Sequence, residues 1–465
     1  MNPKSDWSPR VHYLDTHFTE KELFAEVDKF ISKQSQYDVL MDYYLGKHEI
    51  LERQFLDPSK PNNKSVHNFA KLIVDTNSAY FMGNPVTYVS KHTETLEEVI
   101  DVLTENDNQD VDAELAKLCC IFGHAFEFHY IDRDGNHRFK YRSPRNVLAI
   151  YSADMEEELI VAVNISTKRD LMTDKLITYL EVYTKDDITL YRKDGDGDYK
   201  LVESKPHAFD EVPVIEFTAN DERQGEFENV ISLIDAYNKV CSDSVNDVEY
   251  WNDAYLLLRD LQATTMEDIS SMKRNRVLMV DGTGDASFIS KSINDKHVEN
   301  VKNRLILDIH KMANTPDLSS DTFTSNLSGT AIRYKMLTLE NRTSIKERKF
   351  KIAMKKRLKL LLSTLKKRTG KKLENSIDIV FVRSIPANLV EIADVAVKLR
   401  NIVSDETLRS QLIPFILDVE QESELVREQR KEEMRMELFP NKAKVPNDGM
   451  NEHNLKLKKS SEAEG

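Results

Sequence analysis

The chain has 465 residues, 40% of them hydrophobic and 31% charged, and a formal net charge of −14 at neutral pH. That length implies more than one compact unit, and the acid excess excludes a surface that grips DNA phosphates throughout, so a DNA partner is either held locally or deliberately not held tightly. Three cysteines, Cys119, Cys120 and Cys241, with no CxxC pair, argue against a disulfide framework or a zinc ribbon and fit a reducing cytoplasm or no selection on redox. The stretch Met1–Trp7 lacks the apolar core of a signal peptide, and no run reaches the roughly 18 apolar residues of a membrane span, so no membrane contact is expected.

Residues 20–56 read as two helices. Thr19, Glu20 and Glu22 suit a cap and an acidic first turn; Leu23, Val27 and Ile31 share a face, and Leu40, Tyr44, Leu45, Ile50 and Leu51 come from the second helix. Pro58 and Pro61 break the pattern. A helix over about 68–82, striped by Phe69, Ile73, Thr76 and Tyr80, stops at Gly83-Asn84-Pro85. A strand at 86–89 and helices at 94–105 and 110–123 lead into a β-rich region. There Phe126–Ile131 and Arg138–Tyr141 alternate around Asp134-Gly135 as a hairpin. Strands are predicted at 146–151, 158–166, 176–183, 187–192 and 214–217, so that 112–217 forms an α+β domain with an antiparallel sheet. A helix is predicted from Phe227 as far as Asp260, taking in Leu256, Leu257 and Leu258. Residues 261–294 read as a small insert with strands at 276–280 and 287–290, followed by a helix over 295–312.

The stretch that organises the rest comes next. Residues 315–330 form a polar loop rich in Ser, Thr, Asp and Asn, which suit turns and N-caps. A long helix follows from Ala331 to Arg368, striped by Ile332, Met336, Leu339, Phe350, Met354, Leu358, Leu361 and Leu365. A strand at 377–382 precedes Pro386, three helices are predicted within 389–437, and the polar tail from Phe439 is expected to be disordered.

Few motifs carry chemistry. Asp194-Gly195-Asp196-Gly197-Asp198 resembles a calcium loop, but Tyr199 and Lys205 stand where an EF-hand needs Gly and Glu, so a hairpin turn is the better reading. Asp281-Gly282-Thr283-Gly284-Asp285 lacks P-loop spacing. Cys119, Cys120, His124 and His129 are close in sequence, yet adjacent helical cysteines diverge by about 100°, so buried cysteines and surface histidines are expected rather than a metal site. No catalytic residue, metal or cofactor is expected. Between Arg342 and Lys372 stand fourteen basic residues and a single acid, Glu347. This run reads either as a phosphate-facing surface or, preferably, as a solvated helix face or one paired with acidic helices such as 420–437 of the same chain or a neighbour.

Four stretches in order carry a resemblance to the portal proteins of tailed double-stranded-DNA bacteriophages, of the siphophage type of Gram-positive hosts. They are Lys71–Val86; Val212–Phe217 with Gly225–Glu228 and Leu233–Asn238; Pro316–Leu318 with Ser328–Lys335; and Ser404–Thr407 with Glu420–Glu432. The resemblance covers about residues 35–437. It implies an α+β, mostly helical fold with an antiparallel-sheet wing, long stem helices and a helical C-terminal crown, assembled as a ring. In that scheme 1–226 holds N-terminal helices and wing, 227–260 and 295–315 the stem, and 261–294 the clip. The tunnel loop is 316–329, the long basic helix and returning wing strand 330–385, the crown 386–438 and the tail 439–465. The tunnel loop would bring Asp317, Leu318, Ser319, Ser320, Asp321, Thr322, Phe323, Thr324, Ser325, Asn326, Leu327 and Ser328 to a DNA channel. The clip would offer Arg274, Arg276, Asp281 and Asp285 for docking. The implied partners are further copies in a dodecameric ring, DNA passing without sequence specificity, terminase, a head-completion or adaptor protein, and capsid and scaffolding proteins. The implied place is the virion's capsid vertex, after assembly in the host cytoplasm. The implied role is not enzymatic. Competing readings are a helical scaffold, or a nucleic-acid-processing enzyme that cradles its substrate on the 342–372 helix.

Overall fold

The computed structural model describes residues 10–371 except 16, 59, 172–173, 252–254, 260–264, 266, 268–269, 271–284, 290–294 and 319–328, and then 376–384, 394, 397–399, 403–404 and 419–438. The chain divides into two units, Met1–Ile385 and Pro386–Gly465. In the second unit the described helix is Val419–Leu438; the helices predicted at 389–399 and after Ser404, and the tail from Phe439, lie largely or wholly outside the described residues.

The first unit opens with strand β1 (His12–Leu14), α1 (Glu20–Lys33), α2 (Ser35–Tyr44) and a 3-10 turn at Glu49–Glu52. Then come α3 (Phe69–Met82), β2 (Thr87–Ser90), α4 (Thr93–Glu105) and α5 (Asn108–Phe122). Eight strands follow: β3 (His124–Ile131), β4 (His137–Arg142), β5 (Val147–Ser152), β6 (Leu159–Arg169), β7 (Leu176–Tyr183), β8 (Asp187–Asp194), β9 (Lys200–Pro206) and β10 (Val214–Thr218). The remainder is α6 (Ile231–Trp251), β11 (Tyr255–Arg259), β12 (Asp285–Ile289), α7 (Asp295–Met312), α8 (Gly329–Lys335), α9 (Leu337–Thr369) and β13 (Ile377–Val380). This is a mixed helix-and-sheet fold of the α+β class.

Local chemistry sets many of these boundaries. Thr19 caps α1 in a capping box with Glu22, which satisfies two orphan amides at once. Asn68 caps α3 by accepting from the Lys71 amide at 3.0 Å. Asp134-Gly135 turns β3 into β4, and the aspartate-rich segment after Asp194 turns β8 into β9, with Gly135 and Gly195 both at positive φ.

The sheets stack in layers. Of the two larger, one has six strands in the order β1-β5-β6-β7-β8-β9 and the other three, β10-β3-β4; β11-β12 and β13-β2 are two-stranded pairs. Leu148, Ile150, Val161, Val163 and Leu180 fill one face of the large sheet, where α1 packs and Phe24 meets Tyr191 edge-on. Val147, Ala149 and Ala162 on its other face join Phe126, Phe128 and Val214 of the small sheet in a second core. The far face of the small sheet, with Phe139 and Phe217, lies under α9 and α5. Strand β3 is therefore buried on both sides, which alternation alone does not reveal.

The structure corrects several expectations. The sheet is not wholly antiparallel: β1, which the sequence reading missed, pairs parallel to β5. The helix from Phe227 does not reach Asp260. It ends at Trp251, and Leu256–Leu258 belong to β11, which pairs antiparallel with β12. A short apolar run fits helix and strand equally well, and here the pairing decides. The strand predicted at 287–290 is β12, two residues earlier; that at 276–280 lies outside the described residues. The long helix is interrupted at Met336, so α8 and α9 are separate segments.

Two glycines are required by close approach. A Cβ on Gly225 would lie 2.2 Å from the Ile121 carbonyl oxygen, and one on Gly123, at φ +84°, 2.1 Å from the Arg223 backbone. Gly370 also has positive φ, at +70°, but nothing lies within 4 Å. Gly225→Ala should therefore lower stability by more than about 2 kcal/mol, and Gly370→Ala by only about 1 kcal/mol, as read by urea unfolding.

Candidate functional site

The site is built on α9. Its length, 33 residues, gives it a span of about 50 Å. Its inner face is not purely apolar. Arg357 and Lys346 are among the largest fully buried side chains of the chain, beside Phe350, Met354, Leu358 and Leu361. A buried cation is tolerated only with a counter-charge, and β3, α5 and the segment after β10 supply one for each.

Arg357 donates through Nε to Glu127 Oε1 at 2.9 Å and through Nη2 to Glu127 Oε2 at 2.5 Å, a bidentate pair. Asp112 of α5 approaches Nη2 at 2.6 Å. The guanidinium lies between the rings of Phe139 and Phe217, 5.0 and 5.4 Å from their centroids. Burial pushes the Glu127 carboxyl up, but Arg357 and His129 outweigh it and bring it down to about 2. For Asp112 burial wins, and its carboxyl is raised despite Arg357.

A polar chain continues from Glu127. His129 Nε2 lies 3.0 Å from Glu127 Oε1, His129 Nδ1 lies 2.8 Å from His137 Nε2, and His137 Nδ1 lies 2.7 Å from Thr364 Oγ1. The Thr364 hydroxyl donates to the Leu361 carbonyl at 2.9 Å, which directs it to accept from His137. His137 Nε2 is then the acceptor for His129. Burial and the neighbouring His129 lower the His137 pKa to about 3, so this ring stays neutral. The expectation of surface histidines is thus overturned: His124 and His129 are buried because β3 is covered on both faces, while Cys119, Cys120 and Cys241 are buried as expected.

Lys346 forms the second anchor. Its Nζ lies 2.6 Å from Glu226 Oε1 and 3.2 Å from Cys120 Sγ. Burial opposes its charge, but Cys120 and Glu226 together raise its pKa. Arg342 pairs with the other oxygen of Glu226. The close approach at Gly225 is what delivers Glu226 here, its amide donating to the Cys120 carbonyl at 2.7 Å. Neighbouring carboxylates are held in the same way. Glu228 takes a bidentate pair from Arg10 at 2.8 and 2.9 Å, and Glu216 one from Arg223 at 2.7 and 2.8 Å, with His124 at 2.7 Å.

The basic run is therefore largely consumed inside the chain. Besides these, Lys349 pairs with Asp221, Lys351 with Glu347, Lys359 with Glu211, Lys367 with Asp210, and Lys371 with Glu94 and Glu98. These partners lie within residues 94–347. Arg348, Lys355, Lys356 and Lys366 carry no ion pair among the described residues.

The segment just before the polar stretch 316–329 is a fixed root. Asn314 adopts φ +53° and closes α7, and Thr315 is buried. Asn77 of α3 donates to Thr315 Oγ1 at 2.8 Å, the Thr315 amide donates to the His310 carbonyl at 3.1 Å, and Arg342 of α9 donates to the Ala313 carbonyl at 3.1 Å. Beside this root opens a cleft of about 370 Å³ lined by Asn220, Glu222, Glu226, Asn314, Asn341 and Arg342, among others. Of the loop residues singled out, Asp317 and Leu318 are described, Leu318 half-exposed; Ser319–Ser328 lie outside the described residues. Of the clip residues, Asp285 opens β12 opposite Arg259, while Arg274, Arg276 and Asp281 lie outside them. Sequence reasoning missed Asn77, Glu127, Glu226 and His137. The one available signal was an Arg and a Lys at core positions of the α9 stripe, seven and four residues from apolar Phe350.

Fold and site together define an α+β protein in which buried charge fixes one long helix and Thr315, at the root of the polar stretch, is held by hydrogen bonds. The chain belongs to the phage portal proteins of the SPP1 Gp6-like family, whose pattern matches residues 26–436. It is similar to the portal protein of Bacillus phage SPP1, 22% identical over 424 residues covering 85% of this chain and 84% of that one. It is also similar to the portal protein of Clostridium phage phiCD119, 24% identical over 419 residues covering 84% and 91%. The family is structural rather than enzymatic and implies an oligomeric, capsid-associated assembly. Phage portal proteins are virion components of the capsid vertex. No described helix is long and apolar enough to cross a membrane.

Two predictions follow from the buried pairs. Arg357→Met strands Glu127 and Asp112 without their cation and should cost about 3–5 kcal/mol, whereas Lys359→Met, at an exposed pair, should leave the urea midpoint almost unchanged. Stability should also fall on acidification. Below about pH 6.5 the unfolded chain protonates His137, which the folded chain refuses until about pH 3; from pH 4.5 towards 2 Glu127 adds to the loss. His137→Asn should remove one proton's slope, about 1.4 kcal/mol per pH unit, between pH 6 and 4.

Proposed function

We propose that this chain assembles into a ring of identical subunits, a dodecamer in the virion, and that double-stranded DNA enters and leaves the capsid through the ring's central channel. In this reading residues 316–329 are the tunnel loop at the constriction, α6 and α7 form the stem, and 261–294 form the clip on which terminase and the head-completion protein dock. The crown is 386–438, capsid and scaffolding proteins meet the outside, and assembly takes place in the host cytoplasm.

The observation that carries the reading is the contrast between the loop and its root. Asn77, His310 and Arg342 tie the root to three different helices, while the loop itself is rich in hydroxyl and amide side chains and carries no Lys or Arg from 316 to 329. Such a loop meets a sliding duplex without the salt-dependent grip that would stall it, and without reading bases. The acid excess of the whole chain acts in the same sense. Consumption of the α9 cations within the wing counts against a substrate cradle on that helix.

Deletion of Ser319–Asn326 tests this. Rings with a central hole should still be seen by electron microscopy, while DNA packaging into proheads should fall steeply. Loss of rings in the deletion would make the loop a structural element, and uniform monomers of the parent protein with metal-dependent nuclease activity would overturn the reading altogether.

A further inference from the structure

We propose that the β5–β6 loop of one subunit docks, through Met155 and Glu156–Glu158, on the outward stripe of α9 of a second copy of this chain. The proposal rests on the ring reading and names the surfaces that close it.

The donor side is a rigid knob. Met155 is fully exposed, and Glu156, Glu157 and Glu158 beside it are exposed as well. A lone exposed apolar residue needs no explanation, but this one sits on a loop whose shape is fixed. Asp154 Oδ1 accepts from Ser152 Oγ at 2.7 Å and from the amides of Glu156 and Glu157 at 3.0 and 3.2 Å, and Ser152 Oγ accepts from the Glu158 amide at 3.0 Å. Glu157 holds φ +47° to complete the turn. An apolar tip ringed by three carboxylates is thus preorganised, which lowers the ordering cost of docking. Met suits a shallow apolar seat because its unbranched chain adapts to the gap it fills.

The acceptor side is the exposed face of α9 between Ile345 and Lys356. At 100° per residue, Ile345, Arg348, Ile352, Lys355 and Lys356 fall within one sector of about 100°. Ile345 and Ile352 are 43% and 56% exposed, and the three cations carry no ion pair among the described residues. Cations alone would suit DNA. Two exposed isoleucines interleaved with them do not, because a phosphate backbone gives β-branched carbons nothing to bury against, whereas a protein knob does. Three carboxylates around a methionine answer three cations around two isoleucines. One surface on each copy, different from its counterpart, is the head-to-tail arrangement from which closed rings are built.

The test uses the full-length protein. Reversing the knob (Glu156→Lys, Glu157→Lys, Glu158→Lys) or the stripe (Arg348→Glu, Lys355→Glu, Lys356→Glu) should reduce ring yield at fixed concentration at least about tenfold, and the two together should recover it to within about threefold. Reversals that assemble like the parent, or a combined variant that fails to recover, would overturn the proposal, as would rings that stay intact but lose DNA retention, since the stripe then faces DNA. A labelled Met155→Cys protein guards against misfolding of the charge variants. The three native cysteines are buried, so a benzophenone on this thiol should cross-link to residues 345–356 of another, isotopically distinct copy in assembled rings. Cross-links elsewhere sink the contact, while a parent protein that forms no rings at all removes the ring reading itself.

Discussion

The packing of the first unit depends on burying the charge of one helix. Arg357 sits where a leucine would be ordinary, sealed between two aromatic rings, and such a cation is stable only with its carboxylates in place. That requirement reaches outwards. Glu127 must stand on the α9 side of β3, so the register of β3 against β4 and β10 is set by charge as well as by apolar alternation. Asp112 must face inward from α5, and the glycine contacts at 123 and 225 must bring the segment after β10 against the end of that helix. A slip of one residue in any of these would leave a buried charge alone, which costs far more than a misplaced methyl.

The same locks connect the helix to the loop. Lys346 and Arg342 share Glu226, and Arg342 also holds the Ala313 carbonyl at the loop's root. Helix, sheet-end segment and loop root are joined through a single carboxylate within a turn and a half of α9. At the same end the Tyr80 hydroxyl donates to Glu340 at 2.6 Å, and Arg383 binds Glu340 and Glu347, drawing the segment after β13 back to the start of α9. The base of the loop is therefore among the more constrained parts of the unit, although loops are usually the least.

Much of this architecture was legible in the chain. Caps and turns announced themselves: Thr19 with Glu22, the stop at Gly83-Asn84-Pro85, Asp134-Gly135, and the aspartate-rich turn after Asp194. The apolar stripe of the long helix was readable from its spacing. The misses have one physical root, which is that pairing over long distance overrides local pattern. Three residues at 12–14 carry no strand signal until β5 offers an edge, and Leu256–Leu258 become a strand only opposite β12. The histidines were placed outside because a strand of alternating type suggests one wet face, whereas β3 has none. The buried lysine and arginine were hidden in a run of fourteen cations, where composition cannot tell the inward from the outward.

That last ambiguity bears on how such a subunit meets other copies of itself, since the family implies an oligomeric assembly. In any oligomer, a chain with an excess of fourteen acids accumulates repulsion between copies unless opposite charges meet at the seams. Spending all of the α9 cations on internal pairs would leave nothing for a neighbour; exposing all of them would make a DNA clamp. The helix does neither. Lys346 and Arg357 fasten its buried face, exposed Lys359 pairs with Glu211, and Arg348, Lys355 and Lys356 carry no ion pair among the described residues and lie beside exposed Ile345 and Ile352. One helix thus carries buried, paired cations and exposed ones side by side, while the adjoining residues 316–329 contain no Lys or Arg at all.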